Sequence, residues 1–286
     1  MEILSYNLPL DWNLFLFGDD HIGASLRHNH GWEQLVDMMH SEYDGLPASR
    51  NFGVHHGDVI EAIMVDDKRY NEFETREQNV LAQIYASIKV LHPIHKKLLT
   101  ILDGNHPAKL SNFGEITKHI CKELNVQYGT WAAKLIYKDH KDNIQFKHFC
   151  THGSGSISSV ADDPERRKTN MRLSLKRKLK HKFGDTILNS MGHTHKILIC
   201  EPTKDLYITD ENNEHQQNYT GAPTNPSGYI HGDFKWFVNT GAFLKLYGDG
   251  FSGYAERAGY DPIELGFCVA RIRKGRIVGI KKEVLD

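Results

Sequence analysis

Short apolar runs alternate with amphipathic stretches along the first half of the chain. The runs Asn13–Phe17, Asn51–His56 and Leu98–Leu102 each predict a buried strand, and each stops at a polar turn that contains glycine. Between the second and third runs, apolar residues recur at helical spacing from about Tyr70 to Leu91, which predicts an amphipathic helix. Strands that alternate with helices are typical of an α/β domain with a largely parallel central sheet.

Strand patterns dominate the second half of the chain. The runs Lys134–Lys138 and Gln145–Cys150 flank a polar turn and predict a β-hairpin, and a helix is predicted over about Pro164–Phe183. Further strands are predicted at Thr186–Leu188, Ile197–Cys200, Leu206–Thr209, Lys235–Asn239, Phe243–Tyr247, Gly266–Arg273 and Arg276–Glu283. The segment Asp210–Gly232 predicts a long surface loop or a ragged hairpin. We therefore expect a single domain over residues 1–286, with a candidate surface insertion near 201–234.

Composition narrows the class of protein. The chain has 286 residues, of which 40% are hydrophobic and 25% charged, and its net charge of −1 disfavours a wholly basic nucleic-acid binder. The four cysteines form no C-x-x-C pair, so we expect reduced thiols in a cytoplasmic protein rather than a thiolate zinc site or a disulfide scaffold. The chain has no run of 18 apolar residues and no basic region ahead of its first apolar stretch. We therefore expect neither a membrane span nor a signal peptide.

The chain contains 18 histidines, and several of them lie in polar clusters directly after predicted strands. In open α/β sheets, sites are built at the carboxyl ends of the strands, so we expect these clusters to meet. The clusters are Asp19-Asp20-His21, Gly57-Asp58, Gly104-Asn105-His106, Thr151-His152 and Gly192-His193-Thr194-His195. Their carboxylates, amide oxygen and imidazoles form a mixed ligand set that suits Mn, Fe, Zn or Ni rather than Ca.

The number of these ligands indicates two ions rather than one. Seven ligands exceed what one ion needs and are about right for two ions that share a ligand. A carboxylate in a tight turn at a strand end, such as Asp58, is suited to bridging two cations. Glycines beside the ligands, among them Gly57 and Gly104, allow the backbone to turn sharply there. The predicted metal ligands are Asp19, His21, Asp58, Asn105, His152, His193 and His195.

The order D-x-H, G-D, G-N-H, H and G-H-x-H resembles the motifs of the calcineurin-like metallophosphoesterases. The motifs run from Asp19 to His195, about two-thirds of the chain. The resemblance implies a two-sheet α/β/β/α sandwich with a dinuclear metal centre at the strand ends. It also implies the role of each residue: Asp19, His21 and His195 would hold one ion, Asn105, His152 and His193 the other, Asp58 would bridge them, and His106 would be the catalytic acid behind them.

The chain departs from that family pattern in two places. The family often has Asp or Glu after G-N-H, where this chain has Pro107, so His106 needs another acid, such as Asp67 or Asp103, to orient it. The motif Gly57-Asp58 is not followed by Arg, and this disfavours the protein-serine/threonine phosphatase branch. The turn Asn239–Phe243 is similar to one that often follows G-H-x-H in the family.

These features predict a hydrolase of phosphoric esters. Two divalent ions, of which Mn is favoured and Fe, Zn or Ni are open, would polarise a phosphoryl oxygen and acidify the bridging water that attacks phosphorus. The expected substrate is a phosphodiester, as for a nuclease or a nucleotide phosphodiesterase. The alternative is a phosphomonoesterase that acts on a nucleotide, a polynucleotide end or a phosphoprotein. A metal-free binding scaffold of the same fold is a third reading.

One basic stretch offers candidate substrate contacts. Nine Lys and Arg residues fall within residues 166–182, and apolar residues recur every four positions among them. The stretch is either a solvated helix that covers the sheet or a patch for a phosphate backbone, with Arg166, Arg167, Lys176 and Lys178 as candidate contacts. The loop Gly153–Ser159 before it is either a rim over the metals or a plain connection. His55 and His56 are expected to be strand or rim residues rather than ligands.

Overall fold

A computed structural model describes residues 1–211, 213–220, 228–251 and 254–285. The strands are β1 Glu2–Asn7, β2 Trp12–Phe17, β3 Asn51–His55, β4 Leu98–Ile101, β5 Gln127–Tyr128, β6 Ala132–Lys138, β7 Ile144–Thr151, β8 Leu188–Met191, β9 Ile197–Cys200, β10 Leu206–Glu211, β11 Glu214–Tyr219, β12 Trp236–Thr240, β13 Gly266–Arg273 and β14 Arg276–Val284. The α-helices are α1 Asn29–His40, α2 Val80–Leu91, α3 Asn105–Ala108, α4 Ile116–Leu124, α5 Pro164–Leu179 and α6 Tyr254–Arg257.

The strands form two large sheets of six strands each. The first sheet has the order β1-β6-β7-β8-β12-β9, and the second has the order β14-β13-β2-β3-β4-β5. Strands β2 to β5 run parallel to one another, whereas β13 and β14 are antiparallel additions to the second sheet. The first sheet mixes parallel and antiparallel pairs as well. The predicted α/β class is therefore confirmed, and the two mixed sheets agree with the two-sheet arrangement that the resemblance implied rather than with one largely parallel central sheet.

Apolar side chains from both sheets share one core. Leu14 and Val54 of the second sheet pack in the same buried cluster as Leu135, Leu188 and Val238 of the first. Every residue of β2 is buried, as expected for a strand that is covered on both faces. The other face of the second sheet packs against α1, α2 and α4, while α5 packs on the other face of the first sheet. The layers are thus helix, sheet, sheet and helix.

Two of the predicted elements are shorter than expected or absent. The helix predicted over Tyr70–Leu91 begins only at Val80, because the side chain of Asn79 caps it by accepting from the backbone of Leu81 and Ala82. Phe73, an apolar residue within the predicted range, is 61% exposed. Among the described residues, the strand predicted at Phe243–Tyr247 forms no ladder, and an isolated bridge joins Leu244 to Arg27.

The region predicted as a surface insertion contains a separate hairpin. Strands β10 and β11 pair with each other in antiparallel register and belong to neither large sheet. Strand β11 lies within the segment Asp210–Gly232, where a loop or ragged hairpin was predicted, and it confirms part of that prediction. Asn212 and residues 221–227 of the segment lie outside the described residues. Within the described ranges, we found no helix with both the length and the apolar character needed to cross a bilayer.

Candidate metal centre

Five strands from the two sheets end at one rim of the sandwich, and each is followed by predicted ligands. Asp19 and His21 follow β2, Asp58 follows β3, Asn105 follows β4, His152 follows β7, and His193 and His195 follow β8. The sheets share a core, so the turns after these strands meet above it. The structure therefore brings together all seven side chains, from positions as far apart as Asp19 and His195.

The backbone is left-handed at five of these residues. The φ angle is 53° at Asp19, 49° at His21, 50° at Asp58, 68° at His193 and 55° at His195. A residue with a Cβ visits this region rarely, at a cost of roughly 1–2 kcal/mol, because Cβ crowds the following carbonyl oxygen. Strain of this kind is retained where the surroundings enforce it, and it collects at functional sites. Its repetition along this rim favours a functional site over a set of ordinary connections.

The first ligand group consists of Asp19, His21 and His195, whose ligand atoms lie within 4.8 Å of one another. The Nε2 atoms of the two histidines are 3.1 Å apart, and His195 Nε2 is 3.5 Å from Asp19 Oδ1. Two ligands at right angles around one ion, each about 2.1 Å from it, are themselves about 3 Å apart. Asp19 Oδ1 is buried and has no hydrogen-bond partner within the described residues. A cation here would satisfy that oxygen, so the group fits a metal ion.

The second ligand group surrounds the side-chain oxygen of Asn105. This oxygen is 2.8 Å from His152 Nε2 and 2.7 Å from His193 Nδ1, and the two ring nitrogens are 3.3 Å apart. Asp58 Oδ2 is 3.3 Å from His152 Nε2 and 4.0 Å from His21 Nε2, which places it between the two groups. This is the position that the predicted bridging ligand requires. Buried groups of His, Asp and Glu here are able to hold metal ions.

Backbone contacts lock the ligands in place. His152 donates from Nδ1 to the carbonyl of His56 over 2.7 Å, which leaves its Nε2 lone pair free for a metal. The backbone N–H of His106 donates to Asp58 Oδ1, and that of His193 donates to Asp19 Oδ2, each over 2.9 Å. Glycine is required at Gly104, because a Cβ there would lie 2.1 Å from Asp58 Oδ1. The space around the Asp58 carboxylate is therefore tightly packed and leaves no room for a larger residue at position 104.

The carboxylates control the protonation of two buried histidines. Burial alone would lower the pKa of His21, but the neighbouring carboxylates of Glu61 and Asp58 outweigh it and raise the pKa to about 9. Burial also opposes the charge of His152, and Asp58 raises its pKa to about 9. The pKa of His193 is instead lowered by burial and by His152. Metals bind neutral imidazole, so metal binding to His21 and His152 would release protons.

The catalytic candidate His106 lies beside the first group, and its orientation differs from the expectation. Neither Asp67 nor Asp103 contacts it: its Nδ1 donates to the backbone carbonyl of Glu61, and its Nε2 faces Arg69 Nη1 at 3.4 Å. Burial and the neighbouring His21 lower the pKa of His106, so the ring is largely neutral near pH 7 and accepts from Arg69. Pro107 supplies no carboxylate to His106, but Glu61 does, since its Oε2 lies 3.7 Å from His106 Nδ1.

Sequence reasoning missed the roles of Glu61 and Arg69. Glu61 Oε2 accepts from His21 Nδ1 over 2.7 Å, which fixes the tautomer of that ligand, and it lies three residues after Asp58. A carboxylate that close in sequence to a predicted bridging ligand was the available signal. Arg69 is clamped by Asp67, with Arg69 Nη2 2.8 Å from Asp67 Oδ2. No local pattern indicated Arg69, because it comes from an irregular loop.

Two histidines outside the ligand set support the floor of the centre. His55 Nε2 is 3.2 Å from Asp20 Oδ2, and His56 Nε2 is 2.6 Å from the hydroxyl of Ser190. The same hydroxyl is 2.6 Å from His148 Nε2, so a buried polar network ties β3 to β7 and β8. Neither His55 nor His56 belongs to the metal-ligand groups found among the described residues. They are buried strand-end residues, and neither lies on an exposed rim.

A cavity of about 720 Å³ opens above the centre. Its wall includes His21, Glu61, His106, His193 and His195 on the side of the ligands. The other walls are formed by the loop 155–158 and by apolar residues, among them Leu26, Leu244, Leu246 and Ile263. The volume is typical of a pocket for a small molecule or for part of a larger ligand.

The four candidate substrate contacts lie on α5, away from the cavity wall. Arg166 is exposed, and Arg167 Nε donates to the carbonyl of Ala161 over 3.0 Å. Lys176 pairs with Asp233, and Lys178 donates to the carbonyl of Ser154 over 3.0 Å. Of the residues that the structure describes, the cavity wall includes none of these four. Any contact they make to a substrate is therefore outside the cavity.

Comparison with known proteins adds no family assignment. No protein-family model matches this chain, and no curated protein matches it.

Proposed function

We propose that this protein is a metal-dependent phosphodiesterase of the metallophosphoesterase type, with a dinuclear centre at the rim of its two sheets. One observation carries the proposal: seven side chains from five strand ends converge as two ligand groups with Asp58 between them. The spacing of the ring nitrogens and the unsatisfied oxygen of Asp19 fit two cations. The layered α/β/β/α arrangement supports the same family.

The donor set of imidazoles, carboxylates and one amide oxygen suits Mn, Fe, Zn or Ni, and Mn is the preferred choice. When bound, two such ions would act as Lewis acids on a phosphoryl oxygen and would lower the pKa of water. Asp19, His21 and His195 would hold one of them, and Asn105, His152 and His193 the other, with Asp58 shared.

The residues on the cavity wall supply the remaining functions. Arg69 lines the cavity, with its Nη1 3.4 Å from His106 Nε2, and its guanidinium would bind an oxygen of the phosphate. The negative charge of the phosphate would raise the pKa of His106 again, because a nearby anion favours the charged imidazole. His106 Nδ1 is engaged with the carbonyl of Glu61, so the added proton would reside at Nε2. From there it would pass to the leaving oxygen as that bond breaks.

The cavity favours a diester over a monoester. A phosphomonoester carries one organic group, whereas a diester carries two and needs room on both sides of the phosphorus. The apolar wall formed by Leu244, Leu246 and Ile263 extends the cavity beyond the ligands and offers space for such a group.

The proposal is tested with chelator-stripped protein to which Mn is returned. We expect hydrolysis of bis(p-nitrophenyl) phosphate to exceed that of p-nitrophenyl phosphate, and metal analysis to find two equivalents bound. A strong preference for the monoester would reverse the choice of substrate. Protein that binds no metal would instead be a metal-free scaffold, and the catalytic proposal would be lost.

A further inference from the structure

The charge of this chain is segregated to an unusual degree. Residues 166–182 contain nine of its 35 Lys and Arg residues and none of its 36 Asp and Glu residues. The remaining 269 residues therefore hold 26 cations against 36 carboxylates, a net charge of −10. Like charges this close on one helix repel each other. A helix that only covers a sheet does not need them.

The packing of α5 uses few of its residues. Leu175 and Leu179 are buried against the first sheet, whereas all residues from Arg166 to Asn170 are exposed. Arg166, Asn170, Leu173 and Arg177 follow one another at helical spacing and form an outward stripe. Within the described residues, Arg166 and Arg177 form no ion pair, so their charges are not neutralised by the protein.

The basic helix is joined to the wall of the cavity. Arg167, Asn170 and Lys178 of α5 hold the loop 154–161 through Ala161, Ser159 and Ser154 respectively. Residues 155–158 of that loop line the cavity above the metal centre. Lys196, also on the cavity wall, lies 3.8 Å from the sulfur of Met171 on α5. A continuous surface therefore runs from the exposed stripe of α5 over this loop to the cavity.

We propose that this surface, the exposed face of α5 together with the loop 154–161, binds the sugar-phosphate backbone of a single-stranded nucleic acid. A row of unpaired cations beside a phosphoester site is complementary to a chain of phosphates and gives salt-dependent binding without base specificity. A single strand is favoured because the predicted ligands His21, His193 and His195 line a cavity of only about 720 Å³ and His21 is buried, so a rigid duplex does not reach them. The inference rests on the proposed function and names its substrate class, a polynucleotide rather than a free nucleotide.

The test compares two double charge reversals that change the net charge equally. Arg166→Glu/Arg177→Glu alters the α5 stripe, and Lys89→Glu/Lys122→Glu alters exposed positions on α2 and α4. Binding of a fluorescein-labelled single-stranded oligonucleotide is followed by anisotropy in chelator, so that no cleavage occurs. We expect the α5 variant to bind at least about tenfold more weakly, with a salt slope reduced by about 1.4, since each lost phosphate contact on a single strand contributes about 0.7. The control variant should bind as the wild type does.

Each outcome decides the inference. Equal binding by the wild type and the α5 variant would overturn it, as would a preference for duplex or for phosphatidylserine vesicles over the single strand. A milder variant, Arg166→Gln/Arg177→Gln, removes the two charges without reversing them and should lose an intermediate share of oligonucleotide binding. Circular dichroism checks that each variant is folded. Wild-type turnover of bis(p-nitrophenyl) phosphate with Mn is measured separately. Binding through α5 without that turnover would defeat the proposed function but keep the binding surface, and turnover without such binding would defeat this inference alone.

Discussion

The candidate metal centre and the basic face of α5 are both dense clusters of charge, yet they are built in opposite ways. In the centre, carboxylates alternate with imidazoles, and Asp19 and Asp58 are 0% and 1% exposed. On α5, the charged side chains are mostly cations and several are exposed to solvent. Arg166 and Arg177 form no ion pair within the described residues. The centre draws its residues from five separate strands, whereas the face comes from one continuous helix.

This difference determines how each region responds to change. Buried charges interact strongly and are screened little, so removing one partner leaves the others uncompensated. Exposed charges are screened by salt, and each contributes a small share that adds to the others. The centre should therefore fail after a single substitution, and the face should weaken gradually. The following predictions test that contrast.

The largest effect is expected from Asp58→Ala. The carboxylate lies between the two ligand groups, so its loss should reduce turnover of bis(p-nitrophenyl) phosphate by roughly 10³-fold or more and lower the bound metal. Oligonucleotide binding in chelator should be preserved, because α5 is unchanged. Asp66→Ala, which removes an exposed carboxylate from a nearby loop, is the control and should retain activity. Near-normal turnover by Asp58→Ala would show that the bridge is assigned wrongly.

A smaller effect is expected from Glu61→Gln. This substitution keeps a hydrogen-bond acceptor for His21 but removes the negative charge that increases the basicity of the ring. Loss of such a supporting carboxylate typically costs about 10–100-fold in metal affinity or activity. Titration of chelated protein with Mn measures the affinity, and Glu74→Gln, on the same cavity wall, is the matched control. If the two variants bind Mn equally well, Glu61 has no role in holding the centre.

The smallest effect concerns the stability of the chelated protein across pH. The pKa of both His21 and His152 is about 9, above the ordinary value of about 6.5 for an unfolded chain. Their contribution to stability is therefore complete below about pH 6.5 and is lost as pH rises through about 9. We expect the Tm in chelator to fall by several degrees over this interval.

Added Mn should reverse that trend, because deprotonated imidazole is the form that binds metal. Thermal unfolding at a series of pH values, with chelator and with Mn, measures both curves. In Asp58→Ala the fall in chelator should be smaller, since His152 loses its partner. A Tm in chelator that stays level or rises between pH 6.5 and 9 would contradict the assigned ion pairs.

The predictable parts of the fold were those set by local patterns. The strands before Asp19, Asp58 and Asn105 were predicted to within about a residue, because each is an apolar run that ends at a polar turn. The helix predicted over Tyr70–Leu91 was too long at its start. The side chain of Asn79 caps the helix at Val80, and the apolar pattern does not show where that cap lies. The division into two sheets was implied only by the family resemblance and not by any local pattern, since pairing between distant strands leaves no local signal.

The candidate site shows the same division. The motif order and the family resemblance named the seven predicted ligands, which the structure brings together at the rim without itself testing their role as ligands. They did not name Glu61, which contacts His21 there. The surroundings of His106 were not predictable in this way. Its contacts with Glu61 and Arg69 depend on how a loop folds back over the rim, which only the packed chain decides.

Linear order was therefore enough to name the seven side chains that converge at the rim, because ligand types and strand-end turns are properties of short segments. The placement of α5 was different. Its nine neighbouring cations were visible in the chain, but a solvated helix and a binding surface have the same local pattern. Only the tertiary structure joined that helix to the loop beside the cavity, since the contacts of Arg167, Asn170 and Lys178 arise when separate segments pack together.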